Sequence, residues 1–211
     1  MMEEIYCYAY AEDELSCEVV RRLVEYQNVT SEVGVRLKLV QGFPDNKHGF
    51  TQIKKRIPAI LDMASNDIAT LVLTDLDRGE CAPELIGSWT GIAGNRTTLP
   101  PRLWFRVAVR ETESWMLADR VALATYFGIA TRNFDPNPDQ LIDPKEHFLN
   151  VVQAKCRNKS LRQILPIGNA NIGPSYNKVV CAFVKTKWDP ERAAANSPSL
   201  KRALVAMKTF H

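Results

Sequence analysis

The segment that most constrains the fold is residues 68–75, IATLVLTD, an apolar run that ends in an acid. A short run without polar alternation is typical of a strand buried on both faces, as in the centre of a parallel sheet. Parallel neighbours need crossover connections, which are usually helices. The segment therefore predicts an α/β fold, and it places Asp75, and Asp77 two residues later, where the chain leaves the sheet.

The apolar periodicity predicts further strands and helices around this segment. Residues 4–11 and 34–40 resemble strands, whereas the apolar spacing after residue 14 and after residue 50 is helical. Residues 102–115 alternate again and predict a strand that ends in acids. Strands that alternate with helices favour a Rossmann-like fold, with a central, mostly parallel sheet flanked by helices.

The second half of the chain is predicted to be helical. Gly128 ends one helix, Asp143 and Pro144 begin another, and the Ser-Pro pair at 197–198 begins the last. Residues 132–140, rich in Pro, Asn and Asp, separate the two halves. We expect an α/β core over residues 1–130 and a helical C-terminal extension over residues 141–211 that packs on the same domain.

Length and composition indicate one ordinary globular domain, since the chain has 211 residues of which 45% are hydrophobic. The five cysteines are scattered without a CxxC pair, so neither a zinc knuckle nor a disulfide framework is indicated. No stretch approaches the roughly 20 apolar residues of a membrane span, and acids replace the basic region of a signal peptide. We expect a cytoplasmic protein that makes no membrane contact.

The charge is divided unevenly along the chain. Residues 145–211 hold 12 Lys and Arg against 3 Asp and Glu, a net charge of +9, whereas residues 1–144 carry −6. A concentrated basic surface suits a polyanionic partner such as nucleic acid. A solvated, lysine-rich helical face is the alternative explanation.

Carboxylates follow the ends of three predicted strands. If the strands are neighbours, these acids meet at one edge of the sheet, where ligands of open α/β sheets collect. Such a cluster repels itself unless a cation such as Mg²⁺ or Mn²⁺ neutralises it. An Asp in a turn, or acids that complement a helix dipole, would explain each piece separately. The acids are Glu12, Asp13 and Glu14, then Asp75 and Asp77, then Glu111 and Glu113.

These motifs resemble the Toprim domain of topoisomerases, primases and overcoming-lysogenization-defect nucleases. The sequences LVLTDLDRGEC, RVAVRETESWMLAD and WDPERAAANSPSLKRAL are more closely similar to a family of small bacterial Toprim-like proteins of unknown function. The resemblance implies a Toprim-like core with a catalytic Glu12. It also implies metal ligands at Asp75, Asp77, Glu111 and Glu113. The Toprim glutamate is typically followed by glycine, whereas Asp13 stands here.

The resulting hypothesis is Mg²⁺-dependent cleavage of a nucleic-acid backbone, with Glu12 as general base or acid. Arg78 and Arg110, each next to a proposed ligand, would offset phosphate charge, or else form salt bridges with the same acids. DNA is preferred over RNA as the expected partner. From the resemblance we also expect an ATPase partner of the AAA or ABC type in phage defence. The chain has no P-loop, so any ATP hydrolysis would come from such a partner.

Other basic residues are candidates for nucleic-acid binding. Arg102 and Arg106 share a predicted strand face with Trp104, an arrangement that could track phosphates and stack a base, although arginines covering a strand explain it equally well. Lys54 and Lys55 lie on the helix after residue 50. Lys47 and His48 belong to the loop before this helix, where they could reach a phosphate or simply be loop residues.

Three other functions remain open from the sequence. A Toprim-like module could bind nucleic acid or regulate a partner without cutting it. A DxD pair also holds Mn²⁺ and a diphosphate in nucleotide-sugar transferases, although that function gives no reason for Glu12, Glu111 and Glu113 to converge. A haloacid-dehalogenase-like phosphatase fits poorly, because its DxDxT motif usually lies near the chain start, whereas Arg78 and Gly79 follow Asp77 here.

Overall fold

The computed structural model describes residues 3–31, 34–45, 49–92 and 98–210. Within these ranges four parallel strands form one sheet in the order β2-β1-β3-β4, and helices flank it, as the sequence predicted. None of the helices in these ranges is long and apolar enough to cross a membrane. The strands are β1 (Glu3–Ala11), β2 (Val35–Leu39), β3 (Ala69–Asp75) and β4 (Leu103–Ala108).

Several helices begin at a side-chain cap, and those that follow Asp143 and Ser197 begin where the sequence predicted. Asp13 and Asp143 each accept a hydrogen bond from a backbone N–H of the first helical turn, and Ser197 caps the last helix. Gly128 ends a helix in the left-handed conformation that favours glycine. The helices are α1 (Glu14–Thr30), α2 (Gly49–Ser65), α3 (Ala82–Thr90), α4 (Thr112–Ala118), α5 (Arg120–Phe127), α6 (Pro144–Lys155), α7 (Tyr176–Thr186), α8 (Pro190–Ala194) and α9 (Pro198–Lys208).

The central strand β3 is buried along its whole length, as its apolar run predicted. It pairs with β1 through Ala11 opposite Leu73, and with β4 through Ala108 opposite Asp75. Because all strands are parallel, the carboxyl ends of β1, β3 and β4 lie side by side. This register is what brings the residues after each strand to one edge of the sheet.

The two faces of the sheet contact different helices. Alternate side chains of a strand point to opposite faces, so Val72 and Phe105 pack with α2 and α3, while Leu71 and Trp104 face the larger cluster. That larger cluster also contains buried residues of α1 and of the C-terminal helices. The sheet and the C-terminal helices therefore share one hydrophobic core.

The segment 132–140 is packed rather than exposed. Phe134 is buried, and Asp139 accepts hydrogen bonds from Ser197 Oγ at 2.7 Å and from Ser199 N at 2.9 Å. Two short 3₁₀ helices, Thr131–Asn133 and Pro138–Gln140, lie at its ends. These contacts attach the segment to the start of α9.

An ion pair between buried Asp119 and half-exposed Arg192 provides a test of how the C-terminal helices are held. Asp119 is 1% exposed and accepts hydrogen bonds from Arg192 Nε at 2.8 Å, Arg192 Nη2 at 2.7 Å and Asp189 N at 3.0 Å. Because charge-assisted bonds are lost, we expect Asp119→Asn to lower the free energy of unfolding in urea by about 2 kcal/mol. The exposed Asp62→Asn on α2 should change it by less than about 0.5 kcal/mol. Equal effects would contradict the assignment.

Candidate active site

Glu12 follows β1 directly and joins it to β3. Its Oε1 accepts hydrogen bonds from Thr74 Oγ1 and, at 2.9 Å, from Asp75 N. Glu12 Oε2 accepts none from the part of the chain that the structure describes. One carboxylate oxygen is therefore fixed on β3, while the other is available to a ligand.

Asp75 ends β3 and is held in turn by the start of α4. Its Oδ1 accepts hydrogen bonds from Thr112 N at 2.9 Å and Thr112 Oγ1 at 2.7 Å. The Thr112 and Ser16 hydroxyls lie 3.3 Å apart, which links this pair to α1. Asp75 Oδ2 has no hydrogen-bond donor among the described residues. The site thus connects β1, β3, α4 and α1 through side-chain hydrogen bonds.

The acids oppose one another's ionisation, as the sequence predicted for a convergent cluster. Burial raises the pKa of Asp75 well above its usual value, and the nearby carboxylates of Glu113 and Glu12 raise it further. Burial also raises the pKa of Glu12, to which Asp77 and Asp13 contribute, although the hydrogen bonds from Thr74 and Asp75 act the other way. A cation bound between these groups would relieve their repulsion.

Asp77 lies in the loop after β3 with a positive φ of 48°, a conformation that Asp tolerates better than most residues. Its side chain is exposed and makes no hydrogen bond or ion pair with any described residue. The loop itself is held from the other side, because Arg110 Nη1 donates to Asp77 O at 3.2 Å and to Gly79 O at 2.7 Å. Arg110 therefore binds backbone carbonyls instead of the acids, and Arg78 is exposed.

The expectation that β4 ends in Glu111 and Glu113 is wrong. β4 ends at Ala108, because Leu76 N and Asp77 N both donate to Arg110 O and turn the chain across the end of β3. Glu111 then occupies the N-cap position of α4, and Glu113 lies in its first turn. Both glutamates follow the strand in sequence, but their positions are set by the first turn of α4.

Glu113 is neutralised inside the protein. It is 1% exposed, and its Oε1 lies 3.2 Å from Lys145 Nζ and accepts a hydrogen bond from Tyr176 OH at 2.8 Å. Burial raises the pKa of Glu113, against the opposing effect of Lys145. Burial lowers the pKa of Lys145, but Glu113 and Glu111 outweigh it and raise that pKa overall. Glu113 therefore has a cation already.

Glu111 lies at a cavity of about 790 Å³ that Asp13, Lys145 and Tyr176 also line. Its Oε2 accepts a hydrogen bond from Lys145 N at 3.0 Å. Burial raises the pKa of Glu111 to about 7, and Glu113 contributes to the shift. Lys145 thus contacts both glutamates. Its backbone N–H donates to Glu111, and its side chain forms an ion pair with Glu113.

The donor set fits a loosely held Mg²⁺ better than an all-protein cage. Across residues 3–31, 34–45, 49–92 and 98–210, no three His, Cys, Asp or Glu side chains form a group that could hold a metal ion. Mg²⁺ commonly uses one or two carboxylates and completes its shell with water and phosphate oxygens. Asp75 Oδ2 and the Asp77 carboxylate have no hydrogen-bond partner among the described residues, so these two acids are the candidates for such a pair.

The nucleic-acid candidates are separated by the fold. Arg102 precedes β4 and therefore lies at the amino ends of the strands, whereas the acids lie at the carboxyl ends. Its Nε is 2.6 Å from Asp67 Oδ1. Trp104 cannot stack a base, since it is 2% exposed and its Nε1 donates to Ala203 O at 3.2 Å. Lys54 and Lys55 are exposed on α2. Lys47 and His48 lie outside the described residues.

Four residues of the site were not anticipated from the sequence. Thr74 and Thr112 are the hydroxyl donors that fix Glu12 and Asp75, and Lys145 and Tyr176 bind Glu113. The Asp-Pro pair at 143–144 predicted a helix start, and Lys145 follows it directly. Nothing in the sequence indicated that this helix start lies against α4.

Asp75→Asn tests whether the buried charge is costly. Asparagine keeps an oxygen for Thr112 but removes the charge that Glu113 and Glu12 oppose, so in EDTA at pH 8 we expect the variant to be more stable than the wild-type protein. Because the pKa of Asp75 is raised in the folded protein, the contribution of this group to stability is lost as pH rises from about 4, the pKa of an unperturbed Asp. The difference should therefore shrink at pH 5 in urea titrations. A variant that is less stable at pH 8 would contradict this reasoning.

The comparisons with known proteins leave this site without a relative. Neither protein-family models, nor curated proteins, nor solved structures gave a match to the chain. The chemistry of the site therefore rests on its own carboxylates and their hydrogen-bond donors.

Proposed function

We propose that the protein cleaves phosphodiester bonds of nucleic acid in a reaction that depends on Mg²⁺ or Mn²⁺. The observation that carries the proposal is the hydrogen-bonded convergence of Glu12 and Asp75, which are 63 residues apart in sequence. Buried acids held together at a cost in stability are typical of functional sites. The resemblance of the Glu12 and Asp75-Leu76-Asp77 motifs to the Toprim domain supports the same reaction.

Asp75 and Asp77 would hold the metal. Bound there, Mg²⁺ would polarise the scissile phosphate and stabilise the charge that develops on the leaving oxygen. Thr112 fixes one oxygen of Asp75 with two hydrogen bonds, so the other oxygen keeps a constant direction. Asp77, which has no partner among the described side chains, supplies a second carboxylate from the adjacent loop.

Glu12 would transfer a proton at its Oε2. Its Oε1 is fixed by Thr74 and by Asp75 N, and burial raises its pKa toward the working range of a general acid or base. Arg78, exposed beside Asp77, would offset phosphate charge. Arg110 acts as a positioning residue, because its guanidinium holds the loop that carries Asp77.

Glu111 and Glu113 take different roles in this proposal. Since Lys145 and Tyr176 occupy Glu113 Oε1, Glu113 acts through the position of α4, whose Thr112 holds Asp75. Glu111 lines the neighbouring cavity and keeps one oxygen for a ligand that enters there.

Cleavage of labelled single-stranded DNA, double-stranded DNA and RNA tests the proposal. Wild-type protein with Mg²⁺ or Mn²⁺ should cut at least one substrate. Asp75→Asn should reduce the rate by about 100-fold or more, because the charge that binds the metal is gone. The exposed Asp62→Asn is the matched control and should keep full activity. Normal cleavage by Asp75→Asn would exclude the scheme.

Binding without cleavage is the second candidate, and the neutralisation of Glu113 by Lys145 favours it, because this acid is then withdrawn from the metal. Such a module would act through a partner, for which the resemblance suggests an ATPase. Protein that binds DNA but stays inert with either metal, and with an ATPase encoded beside it, would support this function. Hydrolysis of nucleotide sugars but not of DNA or RNA would instead support the transferase alternative.

A further inference from the structure

A groove of about 740 Å³ lies along β4, the strand at one edge of the sheet. Residues of β4, of the β3–α3 loop and α3, and of α9 line it. Its walls are apolar side chains such as Val107 and Ile86, together with three arginines. We call it the arginine groove after Arg106, Arg110 and Arg202.

The three arginines lack carboxylate partners. In the described ranges, the five arginines that do form ion pairs are Arg21, Arg22, Arg56, Arg102 and Arg192. Neither Arg106, nor Arg110, nor Arg202 does so, although Glu80 also lines the groove. Three uncompensated guanidinium groups around one concave surface attract an anion.

Arg106 provides an independent indication of a missing acceptor. Its Nε is buried and has no hydrogen-bond partner among the described residues, and its Nη1 reaches only the carbonyl of Phe105, at 3.1 Å. A buried donor without an acceptor is costly and uncommon. The buried Nε lies out of reach of the groove, but an anionic oxygen there could bind Nη2 of the same guanidinium, for which the described residues supply no acceptor.

The start of α3 adds positive potential to the same surface. Cys81, Ala82 and Pro83 line the groove, and Cys81 makes no side-chain capping bond at this helix N-terminus. The first backbone N–H groups of a helix and its dipole favour phosphate oxygens. α3 therefore reinforces the three arginines.

The groove also adjoins the acidic site. Arg110 lines the groove and donates to Asp77 O and Gly79 O, so one guanidinium contacts both the groove and the loop that carries a proposed metal ligand. A strand that places one phosphate at Asp75 and Asp77 would continue along the edge of β4.

We propose that the arginine groove binds the phosphodiester backbone of the nucleic-acid substrate beside the bond that is cleaved, with Arg106, Arg110 and Arg202 contacting phosphates. The identity of the ligand as a nucleic acid rests on the proposed function. Arg202 is new to the site, since α9 brings it to β4 from the C-terminal part of the chain.

Fluorescence anisotropy with labelled 20-nucleotide DNA and RNA in EDTA tests the groove without cleavage. Each lost phosphate contact should reduce the slope of log Kd against log salt by about 0.7 for a single strand and about 0.9 for a duplex. We expect Arg202→Gln to show this reduction and about 5-fold weaker binding in about 0.1 M salt. Lys201→Gln is the matched control, because Lys201 is the neighbour on α9 but lines a different cavity.

Arg106→Gln should show the same loss, and the exposed Arg202 keeps the test valid if the Arg106 variant does not fold. The groove proposal would be overturned if Arg202→Gln kept the wild-type salt dependence of Kd, or if Lys201→Gln lost as much affinity as Arg202→Gln. If the wild-type protein cleaves nucleic acid but Arg202→Gln binds it normally, the groove proposal fails and the proposed function stands. Groove-dependent binding without any cleavage would instead retain the groove and reject the nuclease.

Discussion

The structure depends on a relay of hydrogen bonds across the carboxyl edge of the sheet. Glu12 accepts from Thr74 and from the backbone of Asp75, and Asp75 accepts from Thr112. The first two bonds join β1 to β3 and the third joins β3 to α4, so these three elements are fixed relative to one another by the same carboxylates that repel. The geometry of the site and its electrostatic cost therefore have one origin.

The two buried acids near this edge, Glu113 and Asp75, differ in the partners that the protein gives them. Burial raises the pKa of both, but Glu113 has Lys145 and Tyr176 as partners, whereas the acidic neighbours of Asp75 raise its pKa further. A protein under selection for stability alone would neutralise both or replace the second with an apolar residue. We therefore propose Asp75, together with the exposed Asp77, as the place where a cation from outside the chain would bind. The arginine groove beside it suits the anion that such a cation would act on.

Much of this arrangement could be predicted from the sequence, because it follows from local patterns. The apolar run before Asp75 specified a central strand, and Asp143 and Ser197 specified helix starts. The end of β4 could not be predicted, since the alternation continues past Ala108 and only the backbone of β3 turns the chain there. Lys145 and Arg202 reach their sites through long-range packing of α6 and α9, for which a single sequence has no signal. The burial of Trp104 likewise depends on α9.

The most direct test of the account is a crystal structure with Mn²⁺ soaked in, with the ion located by anomalous scattering. We expect a peak at the carboxyl edge of the sheet, within about 2.3 Å of an oxygen of Asp75 and close to Asp77. A saturating soak that leaves this edge without an anomalous peak, or that places the ion elsewhere on the protein, would contradict it.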